Sequence, residues 1–169
     1  MNIELRKLSI DDGTDVYDML QEIPKDENGF INGCNGRTFE DFKKWLIKSN
    51  DIAHGIRLED WMVPQNVYWL YVDDIPIGMG KLRHYLTDKL SEDGGHGGYA
   101  IRTSYRNKGY GTLLLKLLLQ EAKELNIDRF LLTIQNHNIA SIKVALANGG
   151  QIEKKNDIRH FIWIDLYHA

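Results

Sequence analysis

A strand, a glycine-containing turn and a leucine-rich helix follow one another in the second half of the chain, and this junction most constrains the fold. The strand-like run covers 96–103, the turn is Arg106–Gly111 (Arg-Asn-Lys-Gly-Tyr-Gly), and the helix follows over 112–126. The first turn of a helix has N–H groups without intrahelical partners and carries partial positive charge. Gly109 and Gly111 let a ligand approach the backbone closely. The junction therefore predicts a site for an anion such as phosphate.

The rest of the chain alternates between strand and helix patterns. Apolar periodicity and turn residues predict strands at 2–8, 67–72, 75–85, 96–103, 129–134, 151–155 and 158–166. They predict helices from caps in 9–12 to about Ile23, from Thr38 to about Lys48, over 112–126, and from Asn138 to Ala147. Residues 28–37, 50–65 and 87–95 are predicted to be loops or irregular segments. The strand–helix–strand alternation after residue 96 predicts parallel pairing nearby.

Length and composition favour one cytoplasmic domain. The chain has 169 residues, 43% of them hydrophobic, which predicts a single domain over 1–169. Its formal charge of −3 argues against binding to nucleic acid or to an anionic membrane. No apolar stretch is long enough to span a membrane, and the one cysteine, Cys34, excludes an internal disulfide and gives no zinc ligand set.

Two motifs within this order of elements resemble those of the GNAT superfamily of N-acetyltransferases. Arg106–Gly111 is similar to the superfamily's (Arg/Gln)-x-x-Gly-x-(Gly/Ala) loop, and Asn138–Ser141 to its Asn-x-x-(Ala/Ser) helix start. Residues 94–103, with Asn148-Gly-Gly150, resemble a bacterial branch of predicted acetyltransferases. The resemblance implies a GNAT-like α/β (α+β) fold: a central, mixed, mostly antiparallel twisted sheet of about six to seven strands, flanked by about four helices. A Rossmann fingerprint would need glycine at Leu114, and a P-loop needs Gly-Lys-(Ser/Thr), which does not occur.

The resemblance also implies acetyl-CoA as co-substrate, no metal, and a set of cofactor-binding positions. Main-chain groups around Ile101 and Thr103 would pair with the pantetheine arm, the turn would hold the pyrophosphate, and the next helix start would border the arm. The implied residues are Ile101, Thr103, Arg106, Lys108, Gly109, Tyr110, Gly111, Thr112, Asn138 and Ser141. Two positions depart from the family pattern. Thr103 replaces a common Pro, and Ala145 stands where many members have a Tyr that protonates the departing thiolate.

Acetyl transfer to an amine needs a base, an oxyanion donor and a tolerable leaving group. His96, at the start of the strand, is the first candidate for the base, with a structural strand-terminal role as the alternative. Tyr99 is a candidate donor or acid, with packing as the alternative. His84 and Glu92 are weaker candidates for the base, and His160 is expected to be structural. The thiolate of a thiol with a pKa of about 8.5 leaves readily. The absence of Tyr at position 145 therefore weakens the prediction of an enzyme without excluding it.

These observations predict an acetyl-CoA-dependent N-acetyltransferase. It would transfer acetyl by direct attack of a primary amine of an unidentified small molecule or peptide, without a covalent acetyl-enzyme. The alternative is a catalytically silent acyl-CoA-binding or sensing module, which the Ala145 departure favours. A longer acyl donor stays open, and the resemblance implies that a homodimer is common among relatives.

Overall fold

The computed structural model describes residues 1–167 and contains five α-helices and nine strands in that range. The helices are α1 (Thr14–Glu22), α2 (Phe39–Ala53), α3 (Asp88–Glu92), α4 (Tyr110–Glu124) and α5 (Ile139–Ala147). The strands are β1 (Ile3–Lys7), β2 (Asp26–Glu27), β3 (Phe30–Ile31), β4 (Gln65–Val72), β5 (Ile75–Arg83), β6 (Gly97–Ile101), β7 (Arg129–Gln135), β8 (Gln151–Lys155) and β9 (Arg159–Asp165). A 3-10 turn at Thr103–Tyr105 separates β6 from the glycine turn. The predicted α/β (α+β) class is confirmed.

Most of the strands form two antiparallel sheets. The first has the order β1-β4-β5-β6 and the second has the order β7-β9-β8, while β2 and β3 form a separate short hairpin. Every ladder among residues 1–167 is antiparallel, so the predicted parallel pairing is not present. The reason is that β6 and β7, which α4 connects, diverge and leave a cleft between them.

Helices cover both faces of the first sheet. On one face α1 and α2 bury Met19, Phe42 and Leu46 against Trp69 and Met79. On the other, α4 and α5 form a larger apolar cluster that includes residues of both sheets. A Cβ at Gly80 would lie 2.9 Å from Leu118 Cδ2, so glycine is what lets α4 approach β5 closely.

The structure differs from the predicted elements at four places. The predicted loops 28–37 and 87–95 contain β3 and α3, short elements whose residues have no clear periodicity. Helix α2 continues to Ala53 because its buried face repeats through Ser49. Helix α1 starts at Thr14 with Gly13 as N-cap, since Asp12 Oδ2 instead accepts hydrogen bonds from Ser9 N–H and Trp69 Nε1–H, both at 2.8 Å.

Candidate functional site

A cleft of about 560 Å³ lies between the diverging strands β6 and β7. The turn before α4 lines one end of the cleft, and the loop at Gly94 lines the other. Helix α5 forms part of one wall through Ser141 and Val144, and the β2–β3 hairpin forms part of another through Phe30. The two strands stay together only near their beginnings, where His96 N–H donates to Leu131 O at 2.9 Å.

The backbone of β6 leaves one edge free toward this cleft. Arg102 N–H donates to Ile77 O at 2.7 Å, and Arg83 N–H donates to His96 O at 2.6 Å. Because hydrogen-bonded positions alternate in an antiparallel pair, the even-numbered residues of this strand bond to β5. The N–H and C=O groups of Gly97, Tyr99 and Ile101 therefore point away from β5. An extended chain with its own amide groups could pair with this edge.

The turn before α4 presents free N–H groups at the other end of the cleft. Gly109 caps the helix in a left-handed conformation (φ 84°), and no side chain caps the first turn. Asn107 also has a positive φ of 62°. A Cβ at Gly109 would meet nothing within 4 Å, so the space beside this residue is open, whereas one at Gly111 would make an ordinary contact, 3.5 Å from Tyr99 Cε2. This geometry fits a phosphate group on the helix N-terminus.

Arg106 does not point along the turn. Its Nε donates to Ile101 O at 3.0 Å, and its Nη2 lies 2.6 Å from Glu27 Oε2. The Nη2 contact is an ion pair only, since the buried Nη2 atom makes no hydrogen bond. Arg106 thus joins β6, the turn and the β2–β3 hairpin, and it satisfies the one outward carbonyl nearest the turn.

The other predicted cofactor positions divide into two groups. Those that line the cleft are Ile101, Arg106, Gly109, Tyr110, Gly111, Thr112, Asn138 and Ser141. Thr103 and Lys108 do not line it. Thr103 Oγ1 donates to Glu22 O at 3.1 Å, and the exposed Lys108 Nζ lies 5.5 Å from the centre of the Tyr105 ring. Asn138 caps α5, where its Oδ1 accepts from Ser141 N–H at 3.4 Å.

The family comparison matches this arrangement. The model of the acetyltransferase (GNAT) family matches residues 31–149, which include the cleft strands, the turn and α5. The chain belongs to the GNAT acetyltransferase family. Among curated proteins, no relative matches the chain.

Solved structures show that the GNAT fold extends over nearly the whole chain. An acetyltransferase of the GNAT family from Streptococcus pneumoniae is 16% identical with a TM-score of 0.63, and the match covers 96% of this chain and 98% of that one. The N-acetyltransferase PseH of Campylobacter jejuni, solved with acetyl coenzyme A, is 12% identical with a TM-score of 0.61, covering 97% and 99%. A spermidine N-acetyltransferase SpeG chimera from Vibrio cholerae and hSSAT is 13% identical with a TM-score of 0.66, covering 98% and 96%.

Membrane-spanning helices and metal-binding clusters are both absent from residues 1–167 of this GNAT protein. None of its helices in that range is both long and apolar enough to cross a membrane. The same residues contain no group of three or more His, Cys, Asp or Glu side chains placed to hold a metal ion.

His96 lies in the interior of the GNAT fold and does not line the cleft. Its side chain is 6% exposed and packs against Phe130 with ring centres 5.3 Å apart. Its Nδ1 accepts a hydrogen bond from Leu131 N–H at 2.8 Å. Burial, with a smaller effect of Arg83, lowers the pKa of His96 to about 4. These contacts support the structural alternative, in which His96 holds the beginnings of β6 and β7 together, and they do not support a base role.

Tyr99 occupies the wall of the cleft on the side of α5. Its hydroxyl donates to Ser141 Oγ at 3.3 Å, and burial raises its pKa despite that hydrogen bond. The phenol therefore stays protonated at neutral pH. Ala145, at the family's usual Tyr position, is fully buried in the core and does not line the cleft. Tyr99 is thus a protonated tyrosine in the wall of the cleft, which Tyr105 and Tyr110 also line.

Lys81 and Arg83 are cleft residues that sequence reasoning missed. Both lie on β5, and Lys81 is opposite Gly98 of β6. Desolvation by burial, with a smaller effect of Arg83, lowers the pKa of Lys81 to about 8. The signal in the sequence was two cations at alternate positions of an otherwise apolar strand, which places both on one face of the sheet. His84, Glu92 and His160 do not line the cleft.

Proposed function

We propose that this GNAT protein is an acetyl-CoA-dependent N-acetyltransferase that acetylates a primary amine of a small molecule or peptide. The amine would attack directly, in one domain over 1–169, with neither a metal nor an acetyl-enzyme. The observation that carries the proposal is the free edge of β6, which leads along the cleft from the uncapped N-terminus of α4. Such an edge suits an amide-containing arm, and the helix N-terminus suits the phosphates at the end of that arm.

The residues around the cleft fit acetyl-CoA. The N–H groups of Tyr110, Gly111 and Thr112 would hold the pyrophosphate, with Gly109 giving the turn its shape. The outward groups of β6 would pair with the pantetheine arm, while Asn138 and Ser141 would border it from α5. Lys108 would contribute only from the surface, and Thr103 through its main chain.

Bound in this way, acetyl-CoA supplies an activated thioester carbonyl. The N–H groups of Gly97 and Tyr99 point into the cleft, and one of them would donate to the oxyanion that develops during attack. A preorganised donor of this kind contributes about 3 kcal/mol to lowering the barrier. Tyr99 would give its hydroxyl proton to the departing sulfur, and its raised pKa keeps that proton available.

The proton of the attacking amine would leave through water. An alkylammonium with a pKa of about 10.4 must lose a proton before it attacks. His96 has its Nδ1 engaged by Leu131 N–H and a pKa lowered to about 4, so it is not our candidate for the base. Asp93 lines the Gly94 end of the cleft and its side chain is 69% exposed, so this end would give water a route out.

A second candidate function is a silent acyl-CoA-binding module. The burial of Ala145 favours it, because the family's usual acid position contributes nothing to the cleft. The two functions share the cofactor site and differ in turnover.

Free-thiol release distinguishes the two candidates. Wild-type protein would be incubated with acetyl-CoA and a panel of amino acids, polyamines, aminoglycosides and peptides, with propionyl-CoA as a longer donor. Amine-dependent thiol release with an acetylated amine in the mass spectrum is expected. CoA binding measured by calorimetry without turnover on any amine would favour the silent module, and no CoA binding would refute both.

A further inference from the structure

The cleft contains more cationic side chains than carboxylates. Six charged residues line it: Lys81, Arg83, Arg106, Arg159, Glu27 and Asp93. Both carboxylates already have partners. Glu27 pairs with Arg106 at 2.6 Å, and Asp93 pairs with Arg159 at 3.5 Å. Two cations of the cleft, Lys81 and Arg83, are left without a carboxylate within 4 Å among residues 1–167.

Lys81 has donors to spare inside the cleft. Its Nζ donates to Ile31 O at 2.5 Å and lies 4.8 Å from the centre of the Phe30 ring. An ammonium group has three donors, so two remain for a ligand. Burial without a counterion is unfavourable for a cation, which accords with the lowered pKa of Lys81. An anionic ligand would relieve that cost.

Arg83 offers a second cation on the same face of β5. Its Nη1 donates to Gly94 O at 3.0 Å and to Gly95 O at 3.2 Å, which fixes the guanidinium at the loop end of the cleft. Its other two nitrogens make no hydrogen bond to residues 1–167. Because the residue lies two positions after Lys81, their Cα atoms are about 7 Å apart on one side of the sheet.

These two cations are distant from the phosphate end of the cleft. Lys81 is opposite Gly98, whereas the turn before α4 follows Ile101. Three residues of strand separate the two levels by about 10 Å, and the Arg83 level lies farther still. An anion here would therefore be separate from the phosphates and close to the outward N–H groups of Gly97 and Tyr99, where the amine must arrive.

We propose that the amine acceptor carries a carboxylate, which Lys81 and Arg83 bind at the Gly94 end of the cleft. The substrate class is thus an amino acid or a similar amino carboxylate, and simple polyamines are disfavoured. This inference rests on the proposed function, since it names the acceptor for the same site.

Matched pairs of amines test the inference. Each pair is an amino acid and its decarboxylated amine: phenylalanine and 2-phenylethylamine, histidine and histamine, lysine and cadaverine. For each pair, thiol release gives kcat/KM and calorimetry on CoA-loaded protein gives Kd. The variants are Lys81→Met, Lys81→Arg and, as a matched control, Lys116→Met, which removes an exposed lysine outside the cleft.

We expect the wild type and Lys116→Met to favour the carboxylate member of at least one pair by about tenfold to a hundredfold, the value of a charge-assisted hydrogen bond. Lys81→Met should reduce that ratio to about threefold or less through KM and Kd, and Lys81→Arg should retain most of it. A purely structural role for Lys81 would weaken both members of a pair equally. Thermal melting of each variant verifies folding.

The possible results separate the two proposals. Turnover without a carboxylate preference in any pair would overturn the inference and leave the acetyltransferase proposal standing. A binding preference that Lys81→Met removes, without turnover, would support the inference and count against the enzyme. No preference in binding for any pair, or a preference that survives Lys81→Met, overturns the inference.

Discussion

Replacing His96 by Asn should remove a specific pH dependence of stability. In the folded protein the pKa of His96 is lowered from 6.5 to about 4, because the ring is buried and next to Arg83. Between these two values the unfolded chain binds more protons than the folded one, so the free energy of unfolding falls as pH falls. The His96 contribution is fully present above 6.5 and is lost progressively as pH approaches 4.

The two pKa values set the magnitude. At about pH 5 the linkage amounts to about 2 kcal/mol, and at about pH 7.5 it is close to zero. An asparagine at this position keeps an acceptor for Leu131 N–H and does not titrate. It leaves a void beside Phe130, but the cost of that void is independent of pH.

Urea unfolding of wild type and His96→Asn at both pH values measures this effect. The difference in unfolding free energy between the two proteins should shift by about 2 kcal/mol from the higher to the lower pH, or about 1 M in urea midpoint. The other histidines and the carboxylates contribute equally to the pH dependence of both proteins, so their contributions cancel in the difference. Parallel pH dependences for the two proteins would refute the assignment of His96 as a buried neutral residue and would restore it as a base, in which case His96→Ala should lower kcat/KM on the low-pH limb.

Three further predictions concern the cleft and its packing. Gly111→Trp should raise the calorimetric Kd for CoA severely, while its melting temperature stays near that of wild type. Gly111→Ala, whose Cβ would make only ordinary contacts, should bind CoA nearly normally. Equal affinity in both variants would contradict the pyrophosphate assignment. Tyr99→Phe should lower kcat about a hundredfold, at the low end for general acids because a thiolate leaves readily, with CoA affinity unchanged; an unaltered kcat would exclude Tyr99 as the acid. Gly97→Ala should lower the free energy of unfolding in urea by about 3 kcal/mol, because its Cβ would lie 2.1 Å from Lys81 O. Gly33→Ala, whose Cβ would have its nearest atom at 3.6 Å, should leave that free energy nearly unchanged. Similar losses in the two variants would contradict the packing argument.

Elements with strong local signals were predictable. Strands β4 and β5 and helices α4 and α5 follow from periodicity and caps, and the Arg106–Gly111 turn follows from glycines at a strand-to-helix junction. The hairpin Asp26–Ile31 and helix α3 were missed because two-residue strands and a five-residue helix have almost no periodicity of their own. Tertiary hydrogen bonds stabilise them: Lys81 Nζ donates to Ile31 O, and Gly94 N–H donates to Thr133 Oγ1.

The site residues divide in the same way. Gly109, Gly111 and Asn138 act through their own backbone or cap, so sequence position was enough to identify them as lining the cleft. The environment of His96 was not readable locally, since its burial and its hydrogen bond come from Leu131, 35 positions away. Lys81 escaped notice because a lysine in a strand is usually solvated, and only packing under Phe30 makes it a cleft residue.

The sequence alone therefore determined the order of the longer elements and the position of the glycine turn before α4, because both depend on side chains and dihedrals within a few residues. Tertiary structure decided which groups face the cleft. The divergence of β6 from β7 exposes one strand edge, burial gives His96 a structural role, and Lys81 and Arg83 line the cleft through their place on β5. Burial and long-range pairing set these properties, and no local pattern encodes them.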